Sequence, residues 1–365
     1  MAHCLLIAGL VGALGASGLA PEGDLQLMQT WSSGQPPRSL ARDGPRSVRP
    51  AVYPPSFPID LRDEADPRAA TTTIVIFSVG EFAVGSGPFA GATVCTRPTA
   101  DPDPRTKRPW KLLLESDATD AELKVISAEF TNGLQTYPDK GQVPLVFGNM
   151  TEDGLRALLN RYPGRVKSVQ EDEFVKMVDD PEPNDGQSER RTYPWGIQYV
   201  QADAVRGRGV GVSVYVLDTG IRITHNEFGG RAFAGVDLTT PETYPGTLTT
   251  CSPTSTTCAN DVHGHGSHCA GTVGSSSYGV ADGATIWSMK VLNNAGSGWT
   301  TWMVMAEQWI LASGNRPAVV SSSIQVGPNW NDAPWLASTD ALVADGVTVV
   351  VAAGNSNQDA CTWIR

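Results

Sequence analysis

Basic residues are scarce in this chain of 365 residues. It carries 27 Lys and Arg against 38 Asp and Glu, a formal net charge of -11. Binding a phosphate backbone needs a basic face, so nucleic acid is excluded as the main partner. Long apolar runs are equally scarce. Even the longest stretch, from Cys4 to about Leu14, is too short to span a bilayer comfortably. Small residues follow it, as at a signal-peptidase site, so residues 1–20 are expected to be a signal peptide, although no Lys or Arg precedes the apolar core. Its glycines would make a poor buried helix. With 41% hydrophobic and 18% charged residues, the composition is globular, and 38 Gly and 26 Pro imply many turns.

Cysteine is limited to six residues, of which Cys4 would leave with the signal peptide. Cys251 and Cys258 bracket a polar Ser/Thr/Pro loop and could close a small disulfide there, which fits an oxidising compartment. Cys95, Cys269 and Cys361 suggest no pairing among themselves.

Three regions follow the signal peptide. Residues 21–109 resist assignment. Their Pro- and Arg-rich part from Gln35 to Arg68 has the composition of a linker, and Thr71–Phe77 and Phe89–Cys95 are β-like. Residues 110–178 read as a small α/β module. Lys111–Glu115 is a strand. Thr119-Asp-Ala-Glu122 is a capping-box pattern ahead of Leu123, Ile126 and Phe130 at helical spacing. Val143–Phe147 is a second strand, and Thr151 caps a helix carrying Leu155, Leu158 and Leu159. Two short strands, Arg165–Val169 and Phe174–Val178, complete a sheet with two helices on one face. Residues 179–192 are acidic and Pro-containing and end in Arg190-Arg191, the character of an exposed, cleavable linker.

Residues 193–365 alternate strand and helix. Val210–Leu217, Ile286–Leu292, Ala318–Ser322 and Val347–Ala353 are apolar strands. Trp302, Met305, Ala306, Trp309 and Ile310 mark a helix face, and Trp335–Ala344 is a second helix. Such alternation predicts an α/β fold with a mostly parallel sheet covered on both faces, binding ligands at the carboxyl ends of its strands. Three loops leave those ends: the one at Asp218-Thr-Gly220, the Gly-Ser-Gly after Leu292, and Gly354-Asn355. Further along from Asp218 comes Asp261-Val-His-Gly-His-Gly-Ser-His-Cys-Ala-Gly271, where small residues leave the ring of His265 approachable. An aspartate that orients an imidazole is half of a nucleophilic-hydrolysis apparatus.

Together these pieces resemble the subtilisin family of serine proteases, in its proteinase-K-like branch. Val216-Leu-Asp-Thr-Gly220 is similar to the family's aspartate motif. His263–Val273 is similar to its histidine motif, with Ser267 where Thr is usual. Lys290–Gly298 and Val351-Ala-Ala-Gly-Asn355 resemble two further segments, and Trp195-Gly-Ile resembles a mature N-terminus. The 110–178 module, with Val169-Gln-Glu-Asp-Glu-Phe174, resembles the inhibitory, ferredoxin-like propeptide. The likeness runs from about Lys111 to Trp363.

The resemblance implies a secreted endopeptidase, or one in a vacuole-like compartment on the same route. It acts on protein or peptide substrates and carries its own propeptide as inhibitor. Asp218 would be the orienting carboxylate, His265 the general base and Asn355 the oxyanion-hole amide. Gly296, Ser297 and Gly298 with Ser323 and Ile324 would hold the substrate backbone by β-augmentation. His268, one helical turn on, is expected to be packed, and Cys269 to be buried behind the histidine. No cofactor is expected for the chemistry, and calcium is expected as a structural ion.

Two departures qualify the likeness. Gln325-Val-Gly-Pro328 stands where the family has glycines beside its specificity pocket. No Gly-Thr-Ser-Met-Ala segment carrying a nucleophile occurs, which leads to the expectation of a C-terminally truncated chain. Ser321–Ser323 continue a strand and substitute poorly. The missing motif also raises an inactive pseudoprotease or protease-binding protein as the alternative. A zinc site at His263, His265 and His268 is a rival with a plausible ligand pattern. An aspartic protease is a weaker one, because no second Asp-Thr-Gly or Asp-Ser-Gly exists.

Overall fold

A computed structural model describes residues 93–95, 105–177, 202, 208–326, 332–352 and 354–355. The expected signal peptide, the Thr71–Phe77 strand, the 179–192 linker, Trp195-Gly-Ile, Gly327-Pro328 and Cys361 lie outside these residues.

The first unit begins at strand β1 (Thr93–Cys95). It continues through β2 (Lys107–Leu114), helix α1 (Asp120–Ser127), β3 (Thr131–Gln135), β4 (Leu145–Thr151), α2 (Glu152–Arg161) and β5 (Val166–Glu171). Its sheet order is β1-β5-β2-β4-β3. Without β1 this is βαββαβ with β2 and β4 central, the ferredoxin-like arrangement. Both helices start on side-chain caps. Thr119 accepts from the Glu122 amide at 3.3 Å, and Thr151 accepts from the Gly154 amide at 3.1 Å. Strand β2 shows why Lys-Leu-Leu-Leu reads as one apolar run. Trp110, Leu112 and Leu114 face the helices and join Leu123, Ile126, Leu155, Leu158 and Leu159 in one core. Leu113 points the other way, packing with Leu145, Phe147 and Val304. Both faces are covered, so no polar alternation survives.

The second unit is built on a six-stranded sheet ordered β14-β12-β7-β10-β8-β9. Its strands are β7 (Ser213–Asp218), β8 (Ala232–Asp237), β9 (Thr249–Thr250), β10 (Thr285–Lys290), β12 (Ala318–Ser322) and β14 (Thr348–Val351). All neighbours pair in parallel except β8 with β9. Helices α3 (His265–Gly274), α4 (Thr300–Ser313) and α5 (Ala333–Ala344) pack on it. One core on this sheet gathers Tyr215, Leu217, Met289, Trp302, Met303 and Ile310. The other gathers Val214, Val216, Cys269, Ala270, Val273 and Ile286. Consecutive β7 residues thus enter opposite cores, the period-two alternation of a sheet covered on both faces. This is the α/β class read from the sequence.

A third, small sheet joins the two units. Strand β6 (Phe174–Met177) follows β5 and lies antiparallel between β11 (Ser297–Trp299) and β13 (Ile324–Gln325). Beside it sits a charge cluster without solvent. Lys111 of β2 is fully buried, and its Nζ lies 2.9 Å from Asp172 and touches Asp332 and the Thr300 hydroxyl. Asp332 accepts from the Trp335 amide at 2.9 Å and caps α5. Asp172 accepts from the Thr301 amide at 3.3 Å and so serves the start of α4. One cation of the first unit therefore sits between two carboxylates at the starts of two helices in the second and offsets part of their charge. Glu307 of α4 is buried against α5, where it accepts from Trp335 Nε1 at 2.8 Å and from Thr339. Burial pushes its carboxyl up to about 7, and hydrogen bonds from Ser338, Trp335 and Thr339 oppose only part of that shift.

Two predictions follow from these buried charges. Lys111→Met leaves two carboxylates uncompensated and should cost about 3–5 kcal/mol in urea unfolding, with part recovered in Lys111→Met/Asp332→Asn. A loss below about 1 kcal/mol would mean the cluster is hydrated. Glu307 holds its proton more tightly folded than unfolded. Stability should therefore fall as pH rises from 4.5 through about 7, by up to about 3 kcal/mol. Glu307→Gln should flatten that slope and be the more stable protein at pH 8. A parallel pH profile for both would exclude Glu307 as its source.

Candidate active site

The parallel strands bring their carboxyl ends to one edge. The register pairs Lys290 with Asp218, Ser322 with Leu217, and Val351 with Ser322. Asp218 ends β7, a strand with a parallel partner on each side, and has no exposure. The chain then turns at Gly220, with φ of +105°. A Cβ there would lie 2.7 Å from the Ala259 carbonyl, so conformation and space both require glycine. Helix α3 opens at His265 after Gly264, whose φ is +108°.

His265 and Asp218 meet as a buried pair. The imidazole Nδ1 lies 2.7 Å from Asp218 Oδ1 and 2.9 Å from Oδ2. A carboxylate only accepts, so Nδ1 carries the hydrogen and Nε2 is left as the basic nitrogen. Asp218 Oδ1 also accepts from the Thr219 amide at 2.6 Å. Lys290 Nζ donates to the Thr219 carbonyl and, at 3.1 Å, to the Leu292 carbonyl. Burial lowers the Lys290 pKa, and Asp237, Asp261 and Asp218 act against that shift. Lys290 is thus a buried cation facing several carboxylates.

Cys269 is buried, with Sγ 4.0 Å from His265 Nδ1. Ser267 accepts from the Arg222 amide at 2.9 Å, so the hydroxyl has a structural use. His268, expected to be packed, is exposed. The buried face of α3 is His265, Gly266, Cys269, Ala270, Val273 and Gly274, and position 268 falls outside it. Among the described residues, Asp218, His265 and Cys269 form the group of three whose potential ligand atoms lie within 4.8 Å of one another. His263 and His268 are not in it. Asn355 lies beyond β14 after Gly354 and is exposed. Cys251 and Cys258 are disulfide-bonded and close their loop beside β8 and β9.

Gly296, Ser297 and Gly298 on one side, and Ser323 and Ile324 on the other, flank β6. Ser297, Gly298 and Trp299 pair with Lys176, Val175 and Phe174, while Ile324 and Gln325 pair with Met177 and Lys176. The Met177 amide donates to the Gly296 carbonyl at 2.9 Å. At Gly298 a Cβ would lie 2.3 Å from the Val291 carbonyl, so the strand fits there only without a side chain. Alternate residues of β6 go in and out. Val175 is buried in the core with Leu292 and Trp302, and Phe174 is exposed and meets the edge of Trp299 at 5.0 Å. The groove is therefore a place where an extended chain adds a strand between two others.

Residues 209–363 match the sequence profile of the subtilase family. This segment resembles a subtilase domain. Its relatives include the Extracellular serine proteinase of Thermus sp. (strain Rt41A), 38% identical over 175 residues, covering 48% of this chain and 38% of the relative. They also include Proteinase R of Parengyodontium album, 30% identical over 225 residues, covering 59% of this chain and 51% of the relative. Alkaline serine exoprotease A of Vibrio alginolyticus is 36% identical over 155 residues, covering 42% and 26%. A solved structure of a cold adapted subtilisin-like serine proteinase is 33% identical, covering 42% of this chain and 50% of that one at a TM-score of 0.35. The chain thus spans between about a quarter and a half of the length of these curated relatives. Among the described residues, no helix is long and apolar enough to cross a membrane.

The subtilase motifs signalled Asp218 and His265 by residue type. They gave no role to Asp261 and Thr219, whose side chains tie the two motif loops together, because bonds to backbone amides leave little trace in a sequence.

Proposed function

We propose that this chain belongs to a secreted subtilisin-type endopeptidase that hydrolyses peptide bonds through an acyl-enzyme. The observation that carries the reading is the 2.7 Å contact between the buried Asp218 carboxylate and His265 Nδ1. Asp218 fixes the tautomer and stabilises the imidazolium, and His265 Nε2 takes the proton of a serine nucleophile. No residue of this chain is assigned to that attack. Asn355 supplies an amide to the oxyanion, together with a backbone N–H. The substrate lies between β11 and β13 as an added strand.

Residues 107–177 act on this reading as the chain's own inhibitor. Strand β6 occupies the position a substrate would take, and Lys111 and Asp172 lock the module to α4 and α5. Release follows cleavage after this strand, in the segment up to Tyr193. The match to extracellular proteases and the N-terminal apolar stretch support secretion.

The test is hydrolysis of an extended fluorogenic peptide by protein in which this chain is joined to a serine-bearing segment, after the inhibitory module has been removed. His265→Ala should lower the rate by at least about 10²–10⁴-fold, the usual contribution of a positioned base. Undiminished hydrolysis in His265→Ala would sink the assignment. A protein that binds the peptide in the groove and never cleaves it would instead favour sequestration of proteases or their substrates.

A further inference from the structure

We propose that Asp261 is the positioning residue of the Asp218–His265 pair, acting through the hydroxyl of Thr219. The proposal rests on reading that pair as the acid–base machinery. It adds a third carboxylate, one that does not contact the imidazole through any of the bonds described above yet governs where it sits.

Asp261 is 8% exposed, and its two oxygens gather donors from both motif loops. Oδ1 accepts from the Thr219 hydroxyl at 2.9 Å, the His263 amide at 3.0 Å and the Gly264 amide at 2.8 Å. Oδ2 accepts from the Ser267 amide at 2.9 Å. Gly264, the residue before α3, has no side chain to cap the helix, so Asp261 serves its free amides from outside. Its negative charge also lies at the positive end of the helix.

The relay to the pair runs through Thr219, which is fully buried. Its hydroxyl has one hydrogen, given to Asp261, so it meets the Gly266 amide, 3.0 Å away, as acceptor. Gly266 follows His265 directly, so this bond fixes the backbone that carries the imidazole. The backbone amide of the same Thr219 donates to Asp218 Oδ1 at 2.6 Å and fixes the other partner. Nothing bulkier than glycine fits at 266, where a Cβ would lie 2.2 Å from the Gly220 carbonyl and 3.1 Å from Asp218. One carboxylate and one hydroxyl thus set both halves of the pair against each other. Burial opposes charge on Asp261, but bonds from Gly264, Ser267 and Thr219 outweigh it and hold the carboxyl below its ordinary range. It is therefore an acceptor for all four donors at neutral pH.

A residue that merely stabilised the loop would change unfolding and leave the pair alone. The discriminating readout is the far-downfield proton resonance between His265 Nδ1 and Asp218, recorded on the whole chain and assigned by its loss in His265→Gln. Thr219→Ser keeps the hydroxyl and should leave the resonance in place. Thr219→Val keeps the shape without the hydroxyl, and Asp261→Asn turns a donor toward the Ser267 amide. Both should shift the resonance upfield or lose it to exchange with water, in protein that still unfolds cooperatively. If Asp261→Asn does not fold, Thr219→Val decides alone. A resonance of unchanged position and exchange rate in folded Thr219→Val overturns the proposal. Peptide hydrolysis is not the readout, so a serine-bearing protein that keeps the pair but cleaves nothing would fail the functional reading and still test this one.

Discussion

A carboxylate without water is the constraint around which the second unit is arranged. Asp218 ends a strand flanked by strands and covered by cores on both faces, so nothing solvates it from the sides. An isolated buried charge of that kind would cost many kcal/mol, or would take up a proton. Here it is met by the His265 ring, the Thr219 amide and the nearby Lys290 ammonium. Each partner comes from a different strand end or helix start. They converge because all the neighbouring strands run in parallel and finish at one edge. The polar edge of the sheet and the proposed chemistry thus share one origin.

The groove follows a different rule. Backbone groups on β11 and β13 need partners, and β6 supplies them without regard to its side chains. Selectivity enters only through the residues that point inward, Val175 above all. The first unit adds what a single four-residue strand lacks. Its apolar face of Leu113, Leu145 and Phe147 packs on Val304, and Lys111 brings a charge that α4 and α5 cannot supply for themselves. A short strand alone would be held weakly. Attached to a folded module, it is presented at high effective concentration.

The sequence was legible where pattern and burial coincide. Ala318–Ser322 is legible to the residue because both faces of that strand are covered and all five of its residues are buried. Val210–Leu217 was placed about three residues early, since Gly209 and Gly211 with positive φ belong to the turn before β7. Strand β3 was missed altogether. Thr131-Asn-Gly-Leu-Gln spells a turn, Asn132 takes φ of +56°, and pairing with β4 imposes the strand on a sequence that does not favour it. Strand β8 went unread for a similar reason, with Gly235 in its middle. The Asp218 and His265 motifs were visible as residue types. Lys111 reads in the sequence only as the start of an apolar strand, although it is a buried cation, two of whose partners are 189 and 221 residues away. Contacts over such separations leave no local pattern.

Helix α3 shows how these constraints meet. With Gly266, Gly271 and Gly274 in ten residues it is a poor helix by propensity, each glycine costing about 1 kcal/mol relative to alanine. Two of the three are required by close approach. A Cβ at Gly274 would lie 2.7 Å from Ile286, and one at Gly266 would meet the Gly220 carbonyl. The helix is therefore held by what it packs against and by the Asp261 carboxylate at its start, with little help from its own backbone preferences. Larger residues would make a more stable isolated helix and push it off the sheet. The imidazole would then withdraw from a carboxylate that cannot follow, because Asp218 is fixed in the central strand. Weak intrinsic helicity here is the cost of bringing His265 within 2.7 Å of Asp218.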